Sequence, residues 1–450
     1  MSTMTSRTRQ MLNAPLLPTL LRLATPNVIG LFATTVVIAY DGYILGQLGA
    51  AALAGVALVF PLSMLMLQMS AGGIGGAVTA AVARALGAGR GDDANRLAQH
   101  ALLIAAVLAA LFSAVLLGLG RSVYGAMGGR GAALASALAY SNVLFGGAIV
   151  VWLGNVLAAV VRGSGNMLLP SLLMLGTALA HLLLCPLLVF GWGPLQGLGV
   201  AGAAISSLIT NALIAALMAL YLLRADSAVQ LHRERWQLRA ELLRSILRVG
   251  APASMNSMLS NGSIAISTAY IGAYGTSALA GYGVAVRLES ILVPIAFGFG
   301  TAMTALVATN MGAGQTARAL RAAWIGGAMV AAITGLIGIT VAIAPELWMT
   351  RFSTDAAVIA FGSDYLQIAG GCYTLLGLGL ALFFASQGAG RMMWPMAASV
   401  SRLLVVAVGG WVCLHLLQAS ATAFFLVIAA GITVYGSMIA GAIALGTWTR

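Results

Sequence analysis

The chain has 450 residues, of which 61% are hydrophobic and only 7% are charged. A soluble domain carries about 25% charged residues, so this chain has too few to cover a surface that faces water. Its net charge is +12, and all 22 basic residues are arginines. No soluble element gathers them into a basic face, which argues against nucleic-acid binding. We therefore expect lipid as the solvent, where the backbone must pair internally as helices or a closed barrel.

Apolar runs of about 20 residues predict spanning helices, because the strands of a barrel would alternate apolar and polar side chains. We identify twelve such runs, at 20–45, 52–75, 98–119, 139–160, 168–191, 200–223, 250–272, 284–309, 322–344, 362–385, 396–417 and 421–446. An even number of runs in each half returns the chain to the side on which it started. The prediction is an all-α membrane protein of 12 transmembrane helices in two parallel six-helix repeats (6 + 6).

The first run contains an acid, Asp41, near its outer end, between Tyr40 and Tyr43. An acid at the centre of a bilayer costs about 2.5–3.5 kcal/mol on insertion scales, so it usually faces a protein cavity and has a function. The alternative is an acid that reaches the outer interface and has only a structural role.

An internal duplication relates the two halves of the chain. The sequence GAVTAAVAR at 76–84, followed by GAG at 87–89, recurs as TAMTALVAT at 301–309, followed by GAG at 312–314. The offset of 225 residues is half the chain, and the segments 163–170 and 388–395 repeat at the same offset. Duplicated membrane chains are typical of transporters that move one half against the other.

The fifth run contains His181 near its middle. A lone histidine in an apolar run often only bonds a backbone carbonyl, but its titration range lies close to physiological pH. A pair formed by Asp41 and His181 is therefore a candidate proton carrier. Further polar residues of the first half are Asn27, Asn155, Ser207, Thr210 and Asn211.

The polar segment 224–248 separates the halves, giving an N-terminal lobe 1–223, a cytoplasmic linker 224–248 and a C-terminal lobe 249–450. Trp236, Leu238, Leu242, Leu243 and Ile246 recur at helical spacing between arginines. This pattern suits an amphipathic helix on the membrane surface, and a plain charged linker is the alternative.

Orientation follows from the arginines. With a cytoplasmic N-terminus, eighteen of them fall on the inner side and three in outer loops, with Arg287 unassigned. The positive-inside rule then places both termini in the cytoplasm. The first run is too long for a cleavable signal peptide. Cys185, Cys372 and Cys413 lie inside apolar runs and are expected to be packing residues.

The second half has no central acid in its first run. Ser267 stands at the repeat position of Asp41, and Glu289 lies just after Arg287 at the start of the eighth run. An interfacial structural role for Glu289 is as open as a functional one. The other polar residues of this half are Asn256, Ser260, Asn261 and Gln387.

Several phrases, in order along nearly the whole chain, resemble the multidrug and toxic compound extrusion (MATE) family. They are DGYILG at 41–46, QLG at 47–49, GSG at 163–165, PLLVFG at 186–191, GLGVAGAAISS at 197–207, RLE at 287–289 and GAG at 312–314. The resemblance implies two six-helix bundles around a central cleft, a monomer among membrane lipids in the bacterial cytoplasmic (inner) membrane. It also implies export of small cationic or amphiphilic drugs in exchange for H+ or Na+.

The match to the family's cation site is incomplete. The acid Asp41 is present, but the asparagine and aspartate that members with a well-formed cation site often carry in helix 5 are His181 and Cys185 here, and a helix 6 threonine is Ser207. The C-terminal glutamate and aspartate of many sodium-coupled members correspond to Ser260 and Leu376. Sodium needs several oxygen ligands, whereas a carboxylate that binds a proton needs none, so the sequence favours H+ over Na+.

These comparisons give a set of candidate residues. For proton or cation coupling we predict Asp41, His181, Ser207 and Asn155; for the substrate cleft, Tyr40, Tyr43, Asn27, Glu289, Ser260 and Gln387. Pro26 breaks the backbone ladder of the first helix, and the resemblance suggests a hinge there, with a static kink as the alternative. We expect no catalytic residue, no metal and no cofactor besides the coupling ion.

Two rival classes remain open at this point. A flippase for lipids or lipid-linked sugars would share the 6 + 6 architecture, but its cleft would need deep arginines for phosphate groups. A membrane receptor or assembly factor would not need the duplication or the isolated acid. No catalytic constellation is visible, so we do not expect an enzyme.

Overall fold

The computed structural model describes residues 5–231 and 237–449 and is almost entirely helical. The N-terminal lobe contains α1 (Ser6–Asn13), α2 (Leu16–Gly46), α3 (Ala50–Leu67), α4 (Gly75–Gly87), α5 (Gly91–Ala126), α6 (Gly131–Gly146), α7 (Ala148–Gly163), α8 (Leu168–Phe190) and α9 (Val200–Leu222). The C-terminal lobe contains α10 (Ala240–Gly272), α11 (Thr276–Gly312), α12 (Thr316–Ile343), α13 (Glu346–Met349), α14 (Ala356–Gly370), α15 (Tyr373–Ala389), α16 (Met393–Trp411) and α17 (Ala421–Ala444).

Short irregular elements complete the fold. A π-helix at Gln68–Ile74 joins α3 to α4, and a second at Val412–Leu416 follows α16. The loop after α8 forms a small antiparallel hairpin of β1 (Gly191–Trp192) and β2 (Leu195–Gln196), in which Gly191 pairs with Gln196.

The predicted set of twelve spanning helices is confirmed. Within the described ranges, nine helical stretches are long and apolar enough to cross a membrane, and two bent pairs raise the number to eleven. The pairs are α6 with α7, bent by 49°, and α14 with α15, bent by 57°. The 33-residue α10 is the twelfth, and its mean hydropathy is lower because polar residues lie along its membrane part, among them Asn256, Ser260 and Asn261.

The duplicated sequences pack against each other where the two lobes meet. A β-carbon on Gly87 would lie 2.1 Å from the carbonyl oxygen of Thr309, and one on Gly312 would lie 2.1 Å from that of Arg84. The two contacts are related by the same 225-residue offset as the sequences. Glycine is required at both places because no side chain fits between the two backbones. The repeated motif is therefore the contact surface between α4 and α11.

The same offset relates hydrogen bonds inside the lobes. Thr79 Oγ1 donates to the carbonyl oxygen of Ala159 at 3.0 Å, and Thr304 Oγ1 donates to that of Phe384 at 2.9 Å. Each bond joins the second membrane span of its lobe to the fourth, α4 to α7 in the first lobe and α11 to α15 in the second. The two repeats therefore share their inner packing as well as their topology.

The lobes are joined at one end. In the described parts of the chain, side-chain hydrogen bonds between the lobes involve the residue pairs Asn27–Thr301, Gln68–Asn261, Arg84–Gly388, Gln387–Gly72, Gln387–Gly73, Met11–Thr309, Met11–Asn310, Met11–Arg318 and Ala14–Arg318. All but Gln68–Asn261 lie in the halves of the helices that are nearer to the N-terminus and to the connection between the lobes. Gln68 and Asn261 lie near the middle of their spans, Ala50–Gly87 and Ala240–Gly272. The acids Asp41 and Glu289 lie in the opposite halves of α2 and α11.

Three expectations about element boundaries need correction. Glu289 is not at a helix start, because α11 begins at Thr276 and continues unbroken past this acid. Arg402 is not on the inner side, because it lies in the middle of α16. Residues 240–248 of the expected linker form the first turns of α10, and Trp236 lies outside the described residues.

Candidate functional site

The first candidate site joins three helices of the N-terminal lobe around Asp41. The Oδ1 atom of Asp41 on α2 lies 2.8 Å from Nε2 of His181 on α8. The thiol of Cys185 donates to the same oxygen at 3.5 Å. His181 and Cys185 are four residues apart and so share one face of α8. The His181 side chain is only 3% exposed, whereas that of Asp41 is 22% exposed.

The second nitrogen of the imidazole is also engaged. Nδ1 of His181 lies 3.0 Å from Oγ of Ser206, a fully buried residue of α9. The ring is therefore held between a carboxylate and a hydroxyl, and the hydroxyl can donate or accept according to the protonation of Nδ1. This arrangement fixes the orientation of the ring with Nε2 towards Asp41.

Ser206 takes the place that we had expected for Ser207. One residue further along α9 turns a side chain by about 100° around the axis, which carries Ser207 away from His181. Its carbonyl oxygen accepts bonds from Thr210 Oγ1 and Asn211 Nδ2, each at 2.9 Å. Ser206 and Ser207 are adjacent in the sequence. Only the direction in which each side chain leaves α9 distinguishes them.

An apolar cluster packs around this site. Its buried members are Ile44, Leu45, Cys185, Val189 and Ala203, with Tyr40 and Tyr140 packed against them. Tyr43 points away and is 65% exposed. Apolar walls lower the local dielectric and strengthen the interaction between Asp41 and His181. Of the two tyrosines expected in the cleft, Tyr40 belongs to the site and Tyr43 does not.

Two other predicted residues bridge the lobes. Asn27 donates from Nδ2 to Thr301 Oγ1 at 2.9 Å and accepts from Ser171 Oγ at 3.1 Å. Gln387 is fully buried and donates from Nε2 to the carbonyl oxygens of Gly72 and Gly73 at 2.9 and 3.1 Å. Both amides therefore hold the closed end of the molecule together.

Three predicted residues lie elsewhere. Asn155 on α7 donates to Ser70 Oγ at 3.0 Å in the π-helix Gln68–Ile74. Ser260 is half-buried on α10, next to the residue whose amide bonds Gln68. Pro26 lies within the continuous α2, directly before the interlobe residue Asn27. None of the three contacts Asp41 in the described structure.

The C-terminal lobe surrounds its acid with aromatic rings. Tyr365 on α14 and Tyr373 on α15 donate to Oε1 of Glu289 at 2.5 and 3.3 Å. Tyr282 packs edge-on against Tyr365, with ring centroids 5.1 Å apart. These tyrosines were missed in the sequence because three different helices supply them. Glu289 is half-buried and hydrogen-bonded, so it is a second polar centre separate from Asp41.

The donor atoms around Asp41 do not match the preference of sodium. The carboxylate of Asp41, the imidazole of His181 and the thiol of Cys185 each offer an atom, all within 4.8 Å of one another. Sodium is a hard cation that prefers several oxygen ligands, whereas two of these three donors are nitrogen and sulfur.

Comparison with known proteins identifies the family. The family model MatE matches residues 26–187 and, a second time, residues 252–412. The chain belongs to the MATE family. The double match reproduces the two repeats, and it defines this chain as a membrane transporter of a multidrug efflux family.

Individual relatives agree with this placement. The chain is 27% identical over 404 residues to the FAD transporter of Shewanella oneidensis, covering 88% of this chain and 87% of the relative. It is 26% identical over 434 residues to the probable multidrug resistance protein NorM of Deinococcus radiodurans, covering 94% of each chain. It is also similar to the multidrug export protein MepA of Staphylococcus aureus, at 25% identity over 267 residues, covering 59% of this chain and 58% of MepA.

Solved structures share the fold. A MOP superfamily transporter from Pyrococcus furiosus, described as having a binding pocket of reverse polarity, superposes with a TM-score of 0.88 at 24% identity over 100% of both chains. An outward-facing multidrug resistance MATE transporter superposes with a TM-score of 0.89 at 22% identity, again over 100% of both chains.

Proposed function

We propose that this transporter is a secondary active exporter that exchanges cationic or amphiphilic compounds for H+ by alternating access of its two lobes. The contact between Asp41 and His181 is the observation that carries this proposal. It joins a carboxylate to a titratable ring inside an apolar cluster, and only the carboxylate is partly exposed. The proposed location is the bacterial cytoplasmic membrane, with both termini in the cytoplasm and a monomer as the working unit.

Charge balance gives the order of events. While the cleft faces the cytoplasm, Asp41 is ionised and admits a lipophilic cation, because a cation in a cleft of low dielectric needs a counter-ion. When the cleft faces outward, a proton binds the Asp41–His181 pair and removes that counter-charge. The drug then leaves, and the proton is released inside after the lobes return.

The hinge proposed at Pro26 links the exchange of proton and drug to the movement of the lobes. Pro26 removes one backbone hydrogen bond from α2, and its neighbour Asn27 bonds Thr301 in the other lobe at 2.9 Å. A bend of α2 at Pro26 would move the segment that carries Asp41 relative to this interlobe contact. Protonation of Asp41 and separation of the lobes would then be linked through a single helix.

A second substrate class has support from one observation. The Shewanella oneidensis relative, which matches 88% of this chain, is named an FAD transporter, so export of flavin nucleotides is the alternative to export of drugs.

Coupling to Na+ and flipping of lipids are weaker alternatives. The donor set at Asp41 argues against the former. The lobe contact includes two arginines, Arg84 and Arg318, but both donate to backbone carbonyls, which argues against phosphate binding between the lobes at this end.

The proposal is tested with inverted vesicles that contain the wild-type protein. A proton gradient should drive uptake of ethidium or norfloxacin, and a protonophore should stop it, while a sodium gradient alone should drive none. Uptake driven by sodium alone would contradict proton coupling. Uptake of FAD without uptake of either drug would establish the alternative substrate class.

A further inference from the structure

The C-terminal lobe contains an intramembrane arginine that the proposed mechanism does not use. Arg402 lies in the middle of α16, a helix of 19 residues. A charged side chain at this depth is costly and normally pairs with an acid or faces a polar cavity.

The guanidinium of Arg402 points into the helical bundle. Its central carbon lies 6.0 Å from the centroid of the Tyr435 ring on α17. It is also within electrostatic reach of Tyr282 on α11. Because these tyrosines belong to two other helices of the lobe, the charge lies among α11, α16 and α17 and does not extend into lipid.

The polar atoms around this charge are not satisfied by the described protein. Nε of Arg402 is buried without a hydrogen-bond partner, and so is the hydroxyl of the fully buried Tyr435. No ion pair joins Arg402 to an acid in the described chain. Buried groups of this kind usually have partners, so a partner from outside the chain is the simplest way to complete the site.

Glu289 is the acid that could have neutralised Arg402. Both charges act on Tyr282, yet Glu289 is bonded by Tyr365 and Tyr373 instead. The lobe thus holds a negative and a positive group that form no ion pair with each other in the described chain. Thr177 stands at the repeat position of Arg402 in the N-terminal lobe, so the duplication does not preserve this arginine.

We propose that Arg402 is the counter-ion for an anionic group, a carboxylate or a phosphate, on the transported compound. A guanidinium binds either group through two parallel hydrogen bonds, and the hydroxyl of Tyr435 supplies a further polar contact. The C-terminal lobe then takes zwitterionic and anionic amphiphiles, with Glu289 facing the cationic end of a zwitterion. This inference rests on the proposed function only in assuming that the lobe binds the transported compound.

Equilibrium binding of a matched ligand pair tests the assignment. The probes are norfloxacin, a zwitterion with a carboxylate, and its decarboxylated analogue, each dialysed against the purified full-length protein in phosphatidylcholine nanodiscs. The wild type should bind norfloxacin at least about tenfold more tightly than the analogue, and Arg402→Gln should abolish this difference. Arg402→Lys should recover part of it, and Arg351→Gln, at an exposed arginine, should keep all of it. A difference that survives in Arg402→Gln, or that is absent in the wild type, overturns the assignment.

A measurement on the unmodified protein covers the case in which Arg402→Gln does not fold. Norfloxacin should protect Arg402 of the wild type from phenylglyoxal, as measured by mass spectrometry, and the decarboxylated analogue should not. Equal modification with and without norfloxacin overturns the assignment. Protection by phosphatidylglycerol and not by norfloxacin also overturns it, because the anion would then belong to a lipid. No ion gradient is present in either assay, so a failure of proton coupling leaves these results unchanged.

Discussion

At the residue scale, the imidazole of His181 is held from both sides. Asp41 lies at Nε2 and Ser206 at Nδ1, so a proton that arrives at the carboxylate can be shared with a ring of fixed orientation. Cys185 adds a thiol that donates to the same carboxylate oxygen. The proposed proton site is therefore built by three helices, α2, α8 and α9, with Asp41 and His181 as the titratable groups and Ser206 and Cys185 as their hydrogen-bond partners.

Removal of the Ser206 hydroxyl should change proton coupling without removing either titratable group. We expect Ser206→Ala to shift the pH dependence of drug uptake and to lower the proton-driven rate by about tenfold, since a hydrogen bond to a charged group contributes about 1.5–3 kcal/mol. The measurement is ethidium uptake into vesicles between pH 6 and 8. Ser207→Ala is the matched control and should behave as wild type. Equal profiles for Ser206→Ala and wild type would show that the hydroxyl does not position the ring.

The imidazole itself should matter more for the pH profile than for the maximum rate. We expect His181→Ala to shift the pH at which uptake is half-maximal while Asp41 still carries the proton. Titration of uptake against pH at saturating drug measures both quantities. An unchanged profile would assign His181 a purely structural role.

The two acids should differ in the kind of defect that they cause. We expect Glu289→Gln to weaken binding of cationic drugs and to spare neutral ones, because its tyrosine partners remain and only the charge is lost. Proton-driven uptake should persist, in contrast to Asp41→Asn. Drug affinities from equilibrium dialysis and uptake rates from vesicles separate the two effects. If Glu289→Gln alone eliminated proton-driven uptake, the assignment of the two lobes would be reversed.

At the element scale, the duplicated segments on α4 and α11 form the contact between the lobes. Gly87 faces Thr309 and Gly312 faces Arg84 through backbone contacts that leave no room for a β-carbon. Small residues at this crossing allow the two helices to approach closely. The cleft can open at this end only if α4 separates from α11.

A side chain at this crossing should hold the lobes apart. We expect Gly312→Val to lengthen the distance between spin labels at cysteines introduced for Ala88 and Ala313, and to reduce transport. Pulsed electron–electron double resonance measures the distance. Gly118→Val, at a glycine of α5 with no neighbour within 4 Å of its added β-carbon, is the control and should leave the distance unchanged. An unchanged distance in Gly312→Val would show that this crossing does not govern closure.

The sequence predicted the spanning helices better than it predicted which side chains contact each other, for physical reasons. Hydrophobic runs define the twelve spans because each must satisfy its own backbone in lipid. The start of α11 at Thr276 was missed because polar and small residues of its first turns interrupt the apolar run. The phase of α9 decided between Ser206 and Ser207, and a run that is apolar on all faces does not reveal its phase. The tyrosines around Glu289 come from two other helices, whose packing no local pattern encodes.

At the scale of the whole molecule, two lobes with one topology have different polar interiors. The N-terminal lobe holds an acid paired with a histidine, whereas the C-terminal lobe holds an acid bonded by tyrosines and an arginine without an ion pair in the described chain. All the interlobe hydrogen bonds described above except Gln68–Asn261, which lies near mid-span, are at one end, which is the arrangement that an alternating-access transporter needs to open at the other. On the proposed mechanism, the N-terminal lobe binds the proton and the C-terminal lobe binds part of the substrate, because the two repeats have diverged in their polar residues.

Proton release on drug binding shows whether Asp41 carries the exchanged proton. Purified wild-type protein in weakly buffered solution should release protons when a cationic drug binds, because drug and proton compete for Asp41. We expect Asp41→Asn to bind the drug more weakly and, at drug concentrations that restore binding, to release no protons, with Glu289→Gln releasing protons as the wild type does. A pH indicator and calorimetry in the same samples measure release and binding. Undiminished proton release by Asp41→Asn would contradict the account.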